Sequence, residues 1–289
     1  IHQLARQLAR RQIGLALSSG NARGMAHIGV LKVLEEEKIP IDMIAGTSAG
    51  ALFGAMFAAG RTIEEISKFA VSIPREYSLL TGFKNWDVRM PPHAGLIKGN
   101  ALLNHIRKWI FDKTFDDLKI ALAVVTVDLI SGEEIVFDRG PVAEAVRASM
   151  SVGGLLEPAH YDGRYLIDGG AVNPVPVQAL SDKGVNLILA SNVIPNVQDR
   201  VRRRRLQNNK RLPGLIDIVL GEREIMESEI IRSRIQPVNV LIQPDVARYH
   251  VREYDKVAEI IRSGEEATRL QIPLIRKLLA PRPRKMAHD

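Results

Sequence analysis

The sequence predicts an α/β fold of three layers, in which helices cover both faces of a mostly parallel central sheet. Short apolar runs alternate along the chain with longer segments whose apolar residues recur at helical spacing. The chain has 289 residues, of which 46% are hydrophobic and 25% are charged, as in ordinary globular proteins. This length is sufficient for one large domain with a substantial core.

Apolar runs bounded by turn residues predict the strands of this sheet. Ser131-Gly132 joins two of them into a hairpin. Asp162-Gly163 favours a second tight turn, because this pair accommodates positive φ angles. In chain order, the predicted strands cover residues 12–17, 41–45, 120–128, 134–137, 164–167, 187–190 and 238–242.

Segments with apolar residues three and four positions apart predict the helices. Residues 62–73, for example, have Ile63, Ile66 and Phe69 on one face, and Pro141 stands where a helix can begin. The predicted helices cover residues 23–37, a segment from residue 49, residues 62–73, 100–110 and 141–150, a segment beyond residue 213, and residues 254–279.

The composition predicts one main domain, residues 13–280, between two flanking segments. Residues 1–12 form an amphipathic lead-in without the apolar core of a signal peptide, and they suggest a linker from a preceding domain. Residues 281–289 form a basic tail. Within the domain, the polar and basic residues 195–211 predict a loop, and the Pro-containing residues 72–99 predict an irregular lid or cap.

The chain contains no Cys, which excludes thiol catalysis, disulfides and zinc sites with Cys ligands. His, Asp and Glu do not recur at metal-ligand spacing, so we expect no metal and no cofactor. The net charge is +7, and cations concentrate at residues 200–211 and 282–285. These runs either are a solvated loop and tail or contact an anionic membrane surface. They lack the interleaved aromatic residues that favour nucleic acid.

Residues 43–60 carry no charge, and two structures could explain such a stretch. One is a membrane-spanning helix with glycines at every fourth position. The other is a strand, a tight turn and a helix, with Ser48 as a nucleophile at the turn between Gly46 and Gly50. We favour the second, because the preceding residues already begin a strand and Gly disfavours a helix interior. The Ser48 hydroxyl would then lie at a helix N-terminus, where free N–H groups stabilise negative charge.

A serine nucleophile needs a proton acceptor, and the sequence offers three candidates. His250 would suit a Ser-Asp-His order, but no local signature marks it. Asp162 precedes Gly163 in the predicted turn. Asp168 ends an apolar strand and precedes Gly169-Gly170, which allows another part of the backbone to approach closely. We therefore favour Asp168 over Asp162 and His250.

A run of small residues, SSGNARG, follows the first predicted strand. It lacks the Lys of a P-loop and the second Gly of a dinucleotide fingerprint. Beside a serine nucleophile it predicts an oxyanion hole of backbone N–H groups, and the alternative is a turn without a ligand. Arg23 either neutralises charge there or pairs on the surface, and His27 is expected to pack in the core. The candidate anion-binding residues are Ser19, Gly20, Asn21, Arg23, Gly24 and Ala49.

Taken together, the three motifs resemble those of the patatin-like phospholipases, in which a glycine-rich oxyanion loop, Gly-x-Ser-x-Gly and Asp-Gly-Gly follow one another. The resemblance covers roughly residues 13–177, including AHIGVLKVLEE, TFDDLKIALAVVTVDLISGE and VRASMSVGGLLEP. It is nearest to bacterial relatives of neuropathy target esterase. Ser19 and Asn21 stand where the family usually has Gly.

This resemblance implies a patatin-like three-layer fold and a dyad without His, with Ser48 as the nucleophile and Asp168 as the proton acceptor. Gly46 and Gly50 match the glycines that flank the family's nucleophile. The implied activity of the main domain is that of a serine acyl hydrolase, which cleaves fatty-acyl esters of phospholipids or lysophospholipids through an acyl-enzyme. The alternative is a lipid-binding or scaffolding module with the same fold and weak turnover, because the oxyanion loop is altered.

The expected partners follow from the same resemblance and from the charge pattern. We expect a lipid ester as substrate and a cytoplasmic location with peripheral contact to the anionic inner face of a membrane. We expect no nucleic-acid partner. The sequence contains no indication of the oligomeric state.

Overall fold

The computed structural model describes residues 12–76, 87, 95–206 and 214–280, and its centre is an eight-stranded mixed sheet. The strands are β1 (Ile13–Leu17), β2 (Met43–Thr47), β3 (Ala121–Asp128), β4 (Glu134–Phe137), β5 (Ala159–Tyr161), β6 (Arg164–Asp168), β7 (Leu187–Ser191) and β8 (Val240–Ile242). They follow the order β5-β6-β3-β2-β1-β7-β8, with β4 also paired to β3. The neighbouring strands β3, β2, β1, β7 and β8 are parallel to one another. The pairs β3–β4, β3–β6 and β5–β6 are antiparallel.

Helices cover both faces of this sheet, as the sequence predicts. They are α1 (Ala26–Glu36), α2 (Ala49–Ala58), α3 (Ile63–Glu76), α4 (Asn100–Trp109), α5 (Val142–Ser149), α6 (Val177–Asp182), α7 (Val197–Leu206), α8 (Leu215–Arg234) and α9 (Val257–Leu279). Leu15 and Leu17 of β1 face the larger core, which includes α1, α2, α5 and α9. Ala16 faces the other core, which includes α6 and the end of α8. The three-layer α/β/α prediction is confirmed.

The two long helices α1 and α9 cross at very close range. A Cβ atom at Gly29 would lie 2.0 Å from the carbonyl oxygen of Ile261, and one at Gly264 would lie 2.0 Å from that of Ala26. Lys32 and Glu265 form an ion pair of 2.8 Å beside this crossing. Because α1 directly follows the predicted oxyanion loop, this packing fixes the position of the loop at its helical end.

Most predicted elements are present, and their ends differ from the structure by at most three residues. The Asp162-Gly163 turn is confirmed, because both residues have positive φ, 48° and 73°, between β5 and β6. The helix predicted from residue 23 begins as a 3₁₀ turn, Asn21–Met25, which leads into α1. Strand β5 and helix α6 were not predicted, because segments of three and six residues are too short to display a period.

The prediction of a loop over residues 195–211 is wrong, because residues 197–206 form α7. High polarity was the basis of that prediction, but Arg has a high intrinsic helix propensity. Asn196 also caps the helix, since its side-chain oxygen accepts a hydrogen bond of 2.9 Å from the N–H of Asp199. Arg200 of this helix also forms an ion pair, in which its Nη1 lies 3.5 Å from Oε1 of Glu224.

The uncharged residues 43–60 form β2, the turn at Ser48 and α2, so the membrane-span interpretation of this stretch is wrong. Among the residues that the structure describes, no helix combines the length and the apolar character needed to cross a bilayer. Several sequence predictions lie outside the described residues: most of the lead-in, the basic tail, residues 207–211, and residues 77–86 and 88–94 of the predicted lid.

Candidate active site

Ser48 lies on a sharp turn between β2 and α2. Its backbone angles, φ 55° and ψ −119°, lie outside the regions that non-Gly residues favour. Such a conformation costs on the order of 1–3 kcal/mol and persists only where the surrounding structure holds it in place. The residue is 6% exposed and stands at the N-cap position of α2, beside the free N–H groups of the first helical turn. A serine held in this way is typical of a nucleophile on a strand-turn-helix elbow.

The glycines on either side of Ser48 allow the elbow to lie close to the sheet. A Cβ atom at Gly50 would lie 2.2 Å from the carbonyl oxygen of Leu17 at the end of β1. One at Gly46 would lie 2.6 Å from the backbone nitrogen of Ala51. Since real Cβ contacts do not become this short, any side chain at either position would push α2 away from the sheet.

Ser149, at the end of α5, hydrogen-bonds to the backbone of the elbow. Its Oγ accepts a hydrogen bond of 2.8 Å from the backbone N–H of Ser48 and donates one of 2.7 Å to the carbonyl of Val125. Ser149 is fully buried, so these bonds do not compete with water. We did not single out this serine from the sequence, although it lies within the VRASMSVGGLLEP segment that carries part of the family resemblance.

The pairing of β3 brings Asp168 to the end of β2. Thr126 and Val127 pair with both β4 and β6, while Val124 and Val125 pair with both β4 and β2. Because a strand has only two edges, β2 and β6 must share the edge opposite β4. On that edge Thr47 is opposite Val125, and Asp168 is opposite the next residue of β3. Adjacent strand positions are separated by about 3.3 Å. Asp168 therefore lies next to the end of β2, the strand that leads to Ser48.

Asp168 is 1% exposed, and within the described part of the chain only one of its carboxylate oxygens has a hydrogen-bond partner. Oδ1 accepts a hydrogen bond of 2.8 Å from the N–H of Gly170 and lies 2.5 Å from Nη2 of Arg223. Oδ2 is buried and has no hydrogen-bond partner among the described residues. Gly169 also requires the absence of a side chain, since its Cβ would lie 2.4 Å from the carbonyl oxygen of Val125.

Helix α8 brings a group of charged side chains to this carboxylate, and we did not identify this group from the sequence. Nε of Arg223 lies 2.7 Å from Oε1 of Glu227, one helical turn further along. Burial works to lower the pKa of Arg223, but the charges of Asp168 and Glu227 outweigh it and raise that pKa. The pKa of Glu227 is raised, because the effect of burial outweighs the opposing charge of Arg223. The Ser19 hydroxyl, from the predicted oxyanion loop, lies beside the same Glu227.

The predicted oxyanion loop retains free donors at its centre. The N–H of Ser19 donates to the carbonyl of Pro174, at 2.9 Å, and is therefore occupied. The N–H groups of Gly20 and Asn21 donate to no carbonyl in the part of the chain that the structure describes. Asn21 has a φ of 50°, the left-handed conformation that Asn tolerates better than most residues. The Gly-to-Asn departure therefore preserves a backbone shape that Gly would also adopt.

Gly24 joins this loop to the elbow, because its Cβ would lie only 2.4 Å from the Cβ of Ala49. Arg23 does not pair on the surface, and that interpretation is wrong, since the residue is 1% exposed. Its Nη1 lies 2.9 Å from Oε1 of Glu224, and its Nε donates to the carbonyl of Tyr249 at 2.8 Å. The charge of Arg23 is thus matched within the protein by a second acidic residue of α8.

Three of the described histidines make contacts with other residues. His27 packs in the core as predicted, where burial lowers its pKa to about 4, and its ring nitrogens contact Ser191 Oγ and the carbonyl of Ser18, both at 2.9 Å. Nε2 of His250 lies 3.8 Å from Oδ1 of Asp217. His105 packs against the ring of Phe69.

Comparison with known proteins agrees with these motifs. The family model described as patatin-like phospholipase matches residues 15–181. An uncharacterized NTE family protein of Mycobacterium tuberculosis is 28% identical, with 92% of this chain and 47% of that protein covered. Lysophospholipase NTE1 of Candida glabrata is also 28% identical, with 91% of this chain and 16% of that protein covered.

Among solved structures, VipD from Legionella pneumophila has a TM-score of 0.52 at 15% identity, with 92% of this chain and 67% of that chain covered. At this identity the likeness shows a shared fold. The chain spans 47% of the mycobacterial relative and 16% of the fungal one, so each of these relatives is considerably longer.

Proposed function

The chain belongs to the patatin-like phospholipase family, and from this premise we propose that it is a serine acyl hydrolase of phospholipids or lysophospholipids. In this proposal residues 13–280 form the hydrolase domain, Ser48 is the nucleophile and Asp168 is the proton acceptor. One observation carries it: the strained elbow of Ser48 and the buried carboxylate of Asp168 meet on one edge of β3, and Oδ2 has no other partner among the described residues.

The acylation step follows from this arrangement. Oγ of Ser48 attacks the ester carbonyl carbon, and its proton passes to Oδ2 of Asp168. The N–H groups of Gly20, Asn21 and Ala49 are the proposed donors to the carbonyl oxygen as it becomes negative. When the tetrahedral intermediate collapses, the C–O bond to the alcohol breaks, and the alcohol leaves with the proton from Asp168. The acyl group remains on Ser48.

Deacylation reverses the roles with water as the nucleophile. Water transfers a proton to Asp168 while its oxygen bonds to the acyl carbon. The second intermediate releases the fatty acid, and Ser48 regains its proton from Asp168. Each turnover therefore returns both residues to their starting protonation states.

A fluorophosphonate probe tests this proposal directly, because it reacts covalently with activated serines. We expect mass spectrometry to find one probe adduct on Ser48, and Ser48→Ala to abolish labelling. Ser72→Ala is a matched control, since that serine is on α3 and its hydroxyl donates to the carbonyl of Phe69. Labelling of another serine, or no labelling of a folded protein that binds lipid, would contradict this proposal. The second result would favour the alternative of a lipid-binding or scaffolding module with weak turnover.

We also propose peripheral contact with an anionic membrane, supported by helices α7 and α8. Arg202 of α7 is exposed, and the basic run continues into residues whose side chains lie outside the described part of the structure. Exposed apolar side chains accompany it on the two helices: Val197, Val201, Leu215, Ile218, Ile225 and Met226. Each cation near an anionic surface contributes about 1 kcal/mol, and apolar side chains can enter the headgroup region.

Vesicle binding tests this contact. We expect the protein to bind anionic vesicles but not zwitterionic ones, and to bind less tightly as salt rises, because the attraction is screened within about a Debye length. Replacing Arg202, Arg203, Arg204 and Arg205 with Ala should reduce binding without changing hydrolysis of a soluble aryl ester. Equal binding to both vesicle types, or unchanged binding by the variant, would identify the basic run as a solvated surface.

A further inference from the structure

We propose that Arg223 is a positioning residue for the reaction: from α8 it holds Oδ1 of Asp168, so that Oδ2 is presented to Ser48. The inference rests on the proposed function, since it gives Asp168 the role of proton acceptor. It concerns a residue that lies 55 positions from Asp168 and belongs to none of the three sequence motifs.

Two donors hold the same oxygen of the carboxylate. Nη2 of Arg223 lies 2.5 Å from Oδ1, and the N–H of Gly170 donates to Oδ1 at 2.8 Å. Since Asp168 is 1% exposed, solvent does not compete for either oxygen. A carboxylate pinned at one oxygen cannot rotate about its last bond without losing both partners. The orientation of Oδ2 is therefore fixed before any substrate arrives.

Arg223 is itself held in place by a second contact. Its Nε lies 2.7 Å from Oε1 of Glu227, and its side chain is 14% exposed. The planar guanidinium thus spans two carboxylates with two different nitrogens, which a Lys ammonium on a flexible stem cannot reproduce. Gly170 makes room for this arrangement, because its Cβ would lie 2.5 Å from Nη2 of Arg223 and 2.3 Å from Oε1 of Glu227.

Arg223 is also the cation that two buried carboxylates share. A buried charge is costly unless it is paired, and Asp168 and Glu227 are both buried. Arg223 is in contact with both of them. Among the described residues, Arg223 and Glu227 are the charged groups of α8 that face Asp168, and Ser19 adds a neutral hydroxyl beside Glu227. Removing Arg223 leaves two buried carboxylates without their cation.

The experiment compares pH profiles of kcat/KM for a soluble short-chain aryl ester. In Arg223→Met we expect kcat to fall by about 10² or more, within the range that a well-placed general base contributes. The change in KM should be small, and the acid limb of the profile should move to higher pH. Arg223→Lys keeps the positive charge but not the planar guanidinium that contacts both carboxylates. It should therefore lose activity, while the acid limb of its profile stays near that of the unaltered protein.

Two further variants separate charge from packing. In the double variant Arg223→Met with Glu227→Gln, the acid limb should return part of the way towards lower pH, because the second negative charge is gone. Arg232→Met is the matched control on the same helix, since Arg232 is 81% exposed and pairs only with an exposed Glu229 in the described structure. Its kinetics should not change.

The outcomes distinguish this inference from the proposed function. If the unaltered chain neither hydrolyses the ester nor takes up the fluorophosphonate, the proposed function fails. If it does both and Arg223→Met is folded with unchanged kcat and acid limb, then only the role of Arg223 is overturned. A rise in kcat for Arg223→Met would also overturn it, since the ion pair would then restrain Asp168 rather than position it.

Discussion

The two sides of the candidate site are built in different ways. On one side, the oxyanion loop and the elbow are short segments whose shape is set by backbone conformation. The positive φ angles of Asn21 and Ser48 and the close contact of Gly24 with Ala49 define this shape. On the other side, α8 reaches Asp168 with the charged side chains of Arg223 and Glu227. The first side depends on small residues that a motif can display, and the second on long-range ion pairs that no motif displays.

This difference means that substitutions on the two sides should fail in different ways. Changes at the elbow should remove activity and leave the fold intact, because few atoms are altered. Changes to the buried charged residues of α8 should also reduce stability, because each disrupts a buried ion pair. The following predictions test that contrast.

The largest expected effect is at the elbow itself. Ser48→Ala should lower the turnover of a soluble aryl ester by a factor on the order of 10⁶, as for other catalytic nucleophiles, while circular dichroism and the thermal midpoint change little. Loss of the hydroxyl removes only one non-hydrogen atom, and the backbone N–H of Ser48 retains its hydrogen bond to Ser149. A variant with a tenth of the original activity would remove Ser48 from the mechanism.

The α8 side should respond in stability. Glu224→Gln removes the carboxylate that forms an ion pair with Arg23, which is 1% exposed, and should lower the free energy of unfolding by about 3 kcal/mol. Replacing both Arg23 and Glu224 with Met should restore part of this loss, since neither member of that buried ion pair then remains. Urea unfolding measures both values.

The control for this experiment lies on the same helix. Glu229→Gln changes a side chain that is 48% exposed, so its effect should stay within about 0.5 kcal/mol. An equally small effect for Glu224→Gln would show that the two sides of the site do not differ in the way described.

The smallest expected effect is in the oxyanion loop. Asn21→Gly should keep ester turnover within a few-fold, because Gly adopts the φ of 50° easily and the proposed donors are backbone N–H groups. A loss of about 10² or more would mean that the Asn21 side chain is itself a donor to the oxyanion. Parallel measurement of the thermal midpoint separates such a loss from unfolding.

The layers of the fold could be predicted from the sequence because apolar period and turn residues determine them locally. The same holds for the elbow, since Gly46, Ser48 and Gly50 are close together in the chain. Asp168 could be proposed as a candidate, but its position beside the elbow depends on β2 and β6 sharing one edge of β3. Nothing local in either segment indicates that pairing.

The α8 contacts could not be predicted for a different reason. Arg223 and Glu227 are four residues apart in a charged segment, which is the usual pattern of an exposed ion pair on a helix surface. The structure inverts that expectation, because Glu224 and Glu227 are buried while Ile218 and Ile225 are exposed. The prediction of a loop over residues 195–211 is wrong for a related reason, since polar composition favours a loop, whereas residues 197–206 form a helix whose Arg200 pairs with Glu224.

The central claim is a Ser-Asp dyad that operates without His, and the direct test is the activity of Asp168→Asn on a soluble aryl ester. We predict that this variant is nearly as inactive as Ser48→Ala, with its fold retained, because Asn cannot accept the proton. Asp162→Asn and His250→Ala are the matched controls, from the β5–β6 turn and from the neighbourhood of Asp217, and should keep most activity. An active Asp168→Asn, or an inactive His250→Ala with unchanged circular dichroism, would contradict the dyad.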